Sequence, residues 1–197
     1  MIIDKITKRQ LEIIEAAGKI LSESGVSNLT IKNLANEMHF SESAIYRHFK
    51  SKEDIIVAML SYLADDMDKR CKSIFEDEDS PEKKFIKLFK AQFLFFSKNT
   101  HFVAAVFSDG LMEQSQRINQ TILKLMTIKM THLMPIIMEG QQKEIFTNEI
   151  APEELIHIVM GALRLQMYKW RTAHFQFDIN RSGENMIFAL LTLMKTK

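Results

Sequence analysis

Apolar side chains recur at three- and four-residue intervals along nearly the whole chain, which is the rhythm of helices with one buried face. The clearest such stretch is residues 30–52, TIKNLANEMHFSESAIYRHFKSK. Thr30 is an N-cap residue type, able to accept from a free backbone N–H in the opening turn. Leu29 and Leu34 flank it as a hydrophobic staple, and Ile31, Leu34, Ala35 and Met38 line one face. Ser41 repeats the device, with Phe40 and Ile45 as the staple and Phe49 one turn beyond. About two residues separate the two helices, so they must meet at a sharp angle. Ser51 caps a third helix, with Asp54 three residues on in capping-box spacing.

With Ile45 and Phe49 turned inward, the second helix presents Glu42, Ser43, Tyr46, Arg47 and Lys50 outward. That set suits a helix lying in a DNA major groove. An arginine at position 47 can make a bidentate contact to guanine, and Ser43 can bond to several base edges. Tyr46, Lys52 and the helix start at Thr30 suit phosphates, which position a protein without reading sequence.

The segment resembles the DNA-binding domain of the TetR/AcrR family of bacterial transcriptional regulators. The matching residues are Arg9, IIEAA at 13–17, Ile20, Leu21, Gly25, Thr30, Leu34, Ala35 and the run from Ser41 to Ile55 containing AIYRHFKSKEDI. The remainder of the chain shares that family's loose all-helical plan. The resemblance implies phosphate contacts by Tyr46 and Lys52 and places Lys32, Glu42, Ser43, Ala44 and Arg47 near bases. Thr30, Ser41 and His48 complete the candidate DNA-binding set. Two positions depart from the family pattern: His39 stands at a turn commonly held by glycine, implying a left-handed backbone there, and Glu42 stands where lysine is common.

Elsewhere the pattern predicts a helix over about 6–24, ended by Gly25, and a long helix from Ser51 to about Phe75, broken by the acidic EDEDSPEKK segment. Ser80 and Pro81 open a helix bearing Phe85, Phe89, Phe93 and Phe96. A short helix near 102–108 follows. The next carries the stripe Ile118, Ile122, Leu125, Met126, Met130, Leu133 and Ile137, and Pro135 is expected to kink or end it. Residues 140–151 read as a polar connector. The final stretches, 152–173 and 183–194, are apolar on nearly every face, so one side needs a partner beyond the chain's own core. The expected fold is therefore all-α: an N-terminal three-helix helix-turn-helix head (1–51) and a C-terminal helical bundle (52–197) for ligand binding and dimerisation. The bundle dimerises through its last two long helices, with Ile156, Leu163, Met167, Ile187, Leu190, Leu191 and Met194 as interface residues.

Composition narrows the picture. The chain has 197 residues and a net charge of +1. Its first 55 residues are balanced in charge, so DNA affinity would rest on a local positive face formed by Arg47, Lys50 and Lys52 against Glu42. Fourteen Phe and 13 Met, mostly after residue 55, suit an adaptable apolar pocket. Its candidate lining is Phe93, Phe96, Phe107, Met112, Met126, Met130 and Trp170, with Gln92, His132, His157 and Arg164 as orienting polar groups. Cys71 is the single cysteine, which excludes an intramolecular disulfide. No signal peptide and no run of about 18 apolar residues are evident, so a cytoplasmic location is expected. No catalytic, cofactor or metal-ligand constellation is present in the sequence, so no enzyme activity is expected. The expected partners are double-stranded DNA bearing a palindromic operator, an unidentified small-molecule effector and a second copy of the chain, with no membrane. A DNA-binding protein acting through protein partners, in chromosome organisation or division control, is the alternative; an all-α enzyme or carrier is a further one.

Overall fold

A computed structural model describes residues 6–75, 79–107, 109–111 and 114–196. The described residues form helices α1 (Lys8–Ser24), α2 (Ile31–Glu37), α3 (Glu42–Tyr46), α4 (Lys52–Ile74), α5 (Pro81–Lys98), α6 (Val103–Phe107), α7 (Gln116–Gln142), α8 (Pro152–Thr172) and α9 (Ile179–Met194). The only β pairing among them is an isolated bridge between Phe146 and Lys195. Contacts divide the chain into two compact units, Met1–Asp65 with Asn99–Leu125, and Asp66–Lys98 with Met126–Lys197.

In the first unit, Thr7 caps α1 through a reciprocal box with Gln10, which satisfies donors the helix leaves free. Gly25 ends it at φ 78°, a conformation that side-chain-bearing residues rarely adopt. Ile13, Ile14, Ala17 and Leu21 of α1 are buried with Leu34 and Ala35 of α2, Ile45 of α3, and Ile55 and Ile56 of α4. Gly18 lets His101 and Phe102 approach α1, where an added Cβ would stand 3.1–3.2 Å from those rings.

In the second unit α9 packs on α5 and α8. Gly183 admits the Phe93 ring so closely that a Cβ would meet it at 2.4 Å. Phe146 likewise lies over Gly140 and is fully buried. Around it the connector is tied to the chain end, with Thr147 N donating to Met194 O (2.7 Å) and Thr196 N to Ile145 O. A stretch that reads as a polar loop thus has a buried aromatic anchor.

Three sequence expectations change. Pro135 does not end α7, because the helix continues through Gln142; a proline inside a helix removes a single ladder donor. α9 begins at Ile179, four residues before 183, with the Asp178 carboxylate accepting from the N–H groups of Asn180 and Arg181. Ser51 and Asp54 do not form a full capping box: the Ser51 hydroxyl accepts from Asp54 N and donates to the Asp54 carboxylate.

By length and composition α7 is apolar enough to cross a membrane. It nonetheless carries Lys124 and Lys129 and packs Leu133, Ile136 and Ile137 into the protein interior, as a core helix does.

Candidate nucleic-acid interface

The recognition segment is short, and its caps hold it. Thr30 Oγ1 accepts from Asn33 N at 3.1 Å to start α2. Ser41 Oγ accepts from Ala44 N at 3.2 Å and bonds Ser43 Oγ at 2.9 Å to start α3. Between them His39 sits at φ 54°, so the left-handed turn expected from its family position is adopted with a side chain in place of glycine. A bond from Phe40 N to Ala35 O (2.8 Å) closes that turn, and the Arg9 guanidinium lies over the Phe40 ring, 5.0 Å from its centroid.

Ile45 and Phe49 are buried beneath α3, which turns the opposite side outward. Lys32, Ser41, Glu42, Ser43, Arg47, His48 and Lys50 are all exposed, as are Thr30 and Tyr46, and Ala44 is half-buried. Tyr46 keeps 51 % of its surface in solvent, far more than a tyrosine seated for packing. Regular helix ends at Tyr46 and Arg47 is its C-cap, so Arg47 and His48 leave the element from its last turn. All ten candidate DNA residues lie in the first unit, on α2 or α3, at or just beyond their caps, or at the start of α4.

Lys52 differs from the rest. Its ammonium donates to Val26 O at 3.0 Å, and partial burial pushes its pKa below the usual lysine value. An ammonium has three donors, so this bond fixes the α4 start while leaving two for a phosphate. The sequence carries no signal for the Val26 contact, 26 residues away. Lys19 pairs with Glu37 at 2.6 Å, joining α1 to α2 on the exposed surface.

The candidate effector residues fall on different elements. Phe93, Phe96 and Trp170 are buried, Met130 is partly so and Met126 is exposed, all in the second unit; Phe107 is partly buried in the first. Met112 lies outside the described residues. Trp170 Nε1 donates to Phe177 O at 2.9 Å and the ring meets Phe175 edge-on, which seals the C-terminal end of α8. Clefts bounded by Glu12, Glu15, Lys19 and His101, and by Lys169, Phe177 and Arg181, contain none of these side chains. Of the polar candidates, Gln92 and His132 are buried while His157 and Arg164 are exposed. Sequence reading passed over Lys129, which is buried beside Gln92.

The seven side chains expected to meet a second copy, Ile156, Leu163, Met167, Ile187, Leu190, Leu191 and Met194, are buried within the protomer itself. Ile158, Leu165, Tyr168, Phe188 and Leu193 are the large apolar side chains that α8 and α9 leave in solvent, with Leu193 76 % exposed. On helices apolar all round, periodicity cannot tell the inner stripe from the outer one.

Comparison with known proteins agrees with this geometry. The model for the bacterial regulatory proteins of the tetR family matches residues 13–59, and that for the YsiA-like protein C-terminal region matches residues 61–193. The chain belongs to the TetR family. It is thus a DNA-binding transcriptional regulator, and both family and fold are those of regulators and not of enzymes. Among curated relatives, the nucleoid occlusion factor SlmA of Shewanella pealeana is 26% identical over 171 residues, covering 87% of this chain and 84% of that protein. SlmA of Vibrio vulnificus is 23% identical over 189 residues, covering 95% and 96%. The fold is shared with the fatty acid degradation regulator FadR from Bacillus halodurans (TM-score 0.86, 18% identity, 95% and 97% coverage). It is also shared with FadR from Bacillus subtilis in complex with stearoyl-CoA (TM-score 0.81, 16% identity, 92% and 97% coverage).

Proposed function

We propose that this TetR-family protein is a cytoplasmic repressor that binds a palindromic operator as a homodimer and is released by a small, largely apolar ligand. Residues 1–51 are the DNA-binding domain and residues 52–197 the ligand-binding and dimerisation domain. Arg47, Ser43 and Glu42 read bases with Lys32 and Ala44 beside them; Thr30, Tyr46 and Lys52 hold phosphates; Ser41 and His48 border the contact. The observation that carries this reading is the outward set on α3, exposed while Ile45 and Phe49 are buried beneath it.

Dimerisation supplies the second half-site. The exposed apolar side chains of α8 and α9, Ile158, Leu165, Tyr168, Phe188 and Leu193, are the surface that a two-fold partner covers. An apolar effector is supported by the Phe- and Met-rich second unit, with Phe93, Phe96, Met126, Met130 and Trp170 as its candidate contacts. It is also supported by structural relatives named for fatty acid degradation and solved with stearoyl-CoA. Release requires the ligand to prefer one conformation of the dimer over the other. The test is a gel-shift titration on DNA upstream of the protein's own gene, with and without long-chain acyl compounds. Binding that acyl compounds reverse supports the reading, and absence of binding removes it.

The curated relatives favour a second reading, in which the protein acts at many chromosomal sites through a protein partner, as a nucleoid occlusion factor. Chromatin immunoprecipitation separates the two: sites beside a few genes fit the repressor, and sites scattered round the chromosome fit the alternative.

A further inference from the structure

The second unit buries a polar group that neither DNA reading nor dimerisation uses. Lys129, on α7, is only 4 % exposed. Its Nζ lies 3.3 Å from Gln92 Oε1 on α5 and 5.7 Å from the centre of the Phe89 ring. Among the described residues no carboxylate pairs with it. Asp68, one turn before Cys71 on α4, is already engaged, by His132 Nε2 at 2.7 Å and by Lys72 Nζ at 2.6 Å. Burial pushes the Lys129 pKa down to about 7, Cys71 partly offsets this, and Arg70 lowers it further.

Buried lysines ordinarily either pair with a carboxylate or extend the ammonium back to water. Lys129 does neither. It has three donors and spends one, on a long bond to a neutral amide. The side chains on the neighbouring turns of α5 are Phe85, Phe89 and Phe93, all fully buried. A cation-forming group beside an amide, set against an aromatic wall, matches one chemical shape: an apolar body ending in a negative head.

We propose that Lys129, with Gln92 beside it, recognises the oxyanion head of an amphipathic effector, a carboxylate or phosphate borne on an apolar chain. This rests on the reading that the second unit holds an apolar effector, and it adds the head group. On binding, Lys129 gains the counter-charge that the fold withholds, and the Gln92 amide N–H is able to donate to the second oxygen.

The experiment is calorimetric titration of the full-length protein with dodecanoate, dodecyl phosphate and dodecanol. Wild type is expected to bind at least one of the two anions about tenfold or more tightly than the alcohol. Which anion binds distinguishes a carboxylate from a phosphate head. Lys129→Met is expected to erase the preference, weakening the anions about tenfold more than dodecanol. Gln92→Glu, which places a carboxylate beside the amine, is expected to erase it as well, and serves if Lys129→Met does not fold. Equal binding of alcohol and anions, failure of both anions to bind, or a preference that survives in the folded variants overturns the proposal. Release from selected DNA is followed in parallel: release by dodecanol and anions alike removes the head-group assignment and leaves the effector reading standing, and release by none removes both.

Discussion

Arg117 donates to the Asp54 carboxylate at 2.5 Å, binding the first turn of α7 to the first turn of α4, the helix that follows the DNA-reading segment. Just before α7, Ser115 Oγ adds a second link, donating to Glu53 at 2.6 Å. The Arg117 bond is the main cause of an Asp54 pKa below the usual carboxylate value. A carboxyl depressed in the folded state adds stability above its unfolded pKa, and that stability is lost as pH falls through the folded value. Arg117→Ala is expected to lower stability by roughly 0.5–1 kcal/mol at neutral pH, a small figure because the pair is partly solvated. Urea denaturation should show the gap from wild type closing below the carboxylate range.

Arg47 and Lys52 are expected to fail differently. Arg47→Ala should weaken specific operator binding by about 1–3 kcal/mol per half-site and relax selectivity at the base it reads. Lys52→Ala should weaken all sequences alike and flatten the salt slope by about one unit per half-site. It should also cost some stability, since its ammonium holds Val26 O. Gel-shift titrations on matched and mismatched DNA at several salt concentrations check both. Sequence-selective loss in the Lys52 variant contradicts its phosphate role.

The inner and outer apolar stripes of the last two helices make opposite forecasts. Leu165→Asp and Phe188→Asp alter exposed side chains, so the protomer should stay folded while sedimentation velocity reports a monomer. Leu163→Ala removes a buried side chain and should cost about 2–5 kcal/mol in stability with no change in subunit arrangement at equal folded fraction.

Lys129 gives a pH signature. Its folded pKa of about 7 lies below the ordinary 10.5, so between those values the unfolded chain holds the extra proton and stability rises with pH. Below pH 7 the buried ammonium imposes its full cost. Lys129→Met should therefore be more stable than wild type at pH 6–7, by on the order of 4–5 kcal/mol, with the gap narrowing as pH rises. Comparison up to pH 9 suffices, since burial raises the Cys71 thiol above its ordinary 9.0.

Local chemistry made the head legible. Thr30 and Ser41 cap as their side chains allow, and the left-handed His39 follows from its turn position. Pro81 and Pro152 open α5 and α8, as a residue lacking an N–H does. Features set by tertiary contact were not legible. Lys129 lies in ILKLMTIKM, where a lysine reads as a solvated break in an apolar face. Gly140 looks unremarkable until Phe146 folds back over it. Asp178 caps α9 ahead of a polar NRSGEN stretch whose composition resembles a loop.

The central claim, a dimeric DNA reader built on α2 and α3, is tested most directly by selecting binding sites from random double-stranded DNA at physiological salt. The expected result is an enriched palindrome whose half-sites lie one helical turn, roughly 34–36 Å, or a multiple of it apart, and which Arg47→Ala no longer enriches. A pool that remains random, or an enriched site that Arg47→Ala binds equally well, contradicts it.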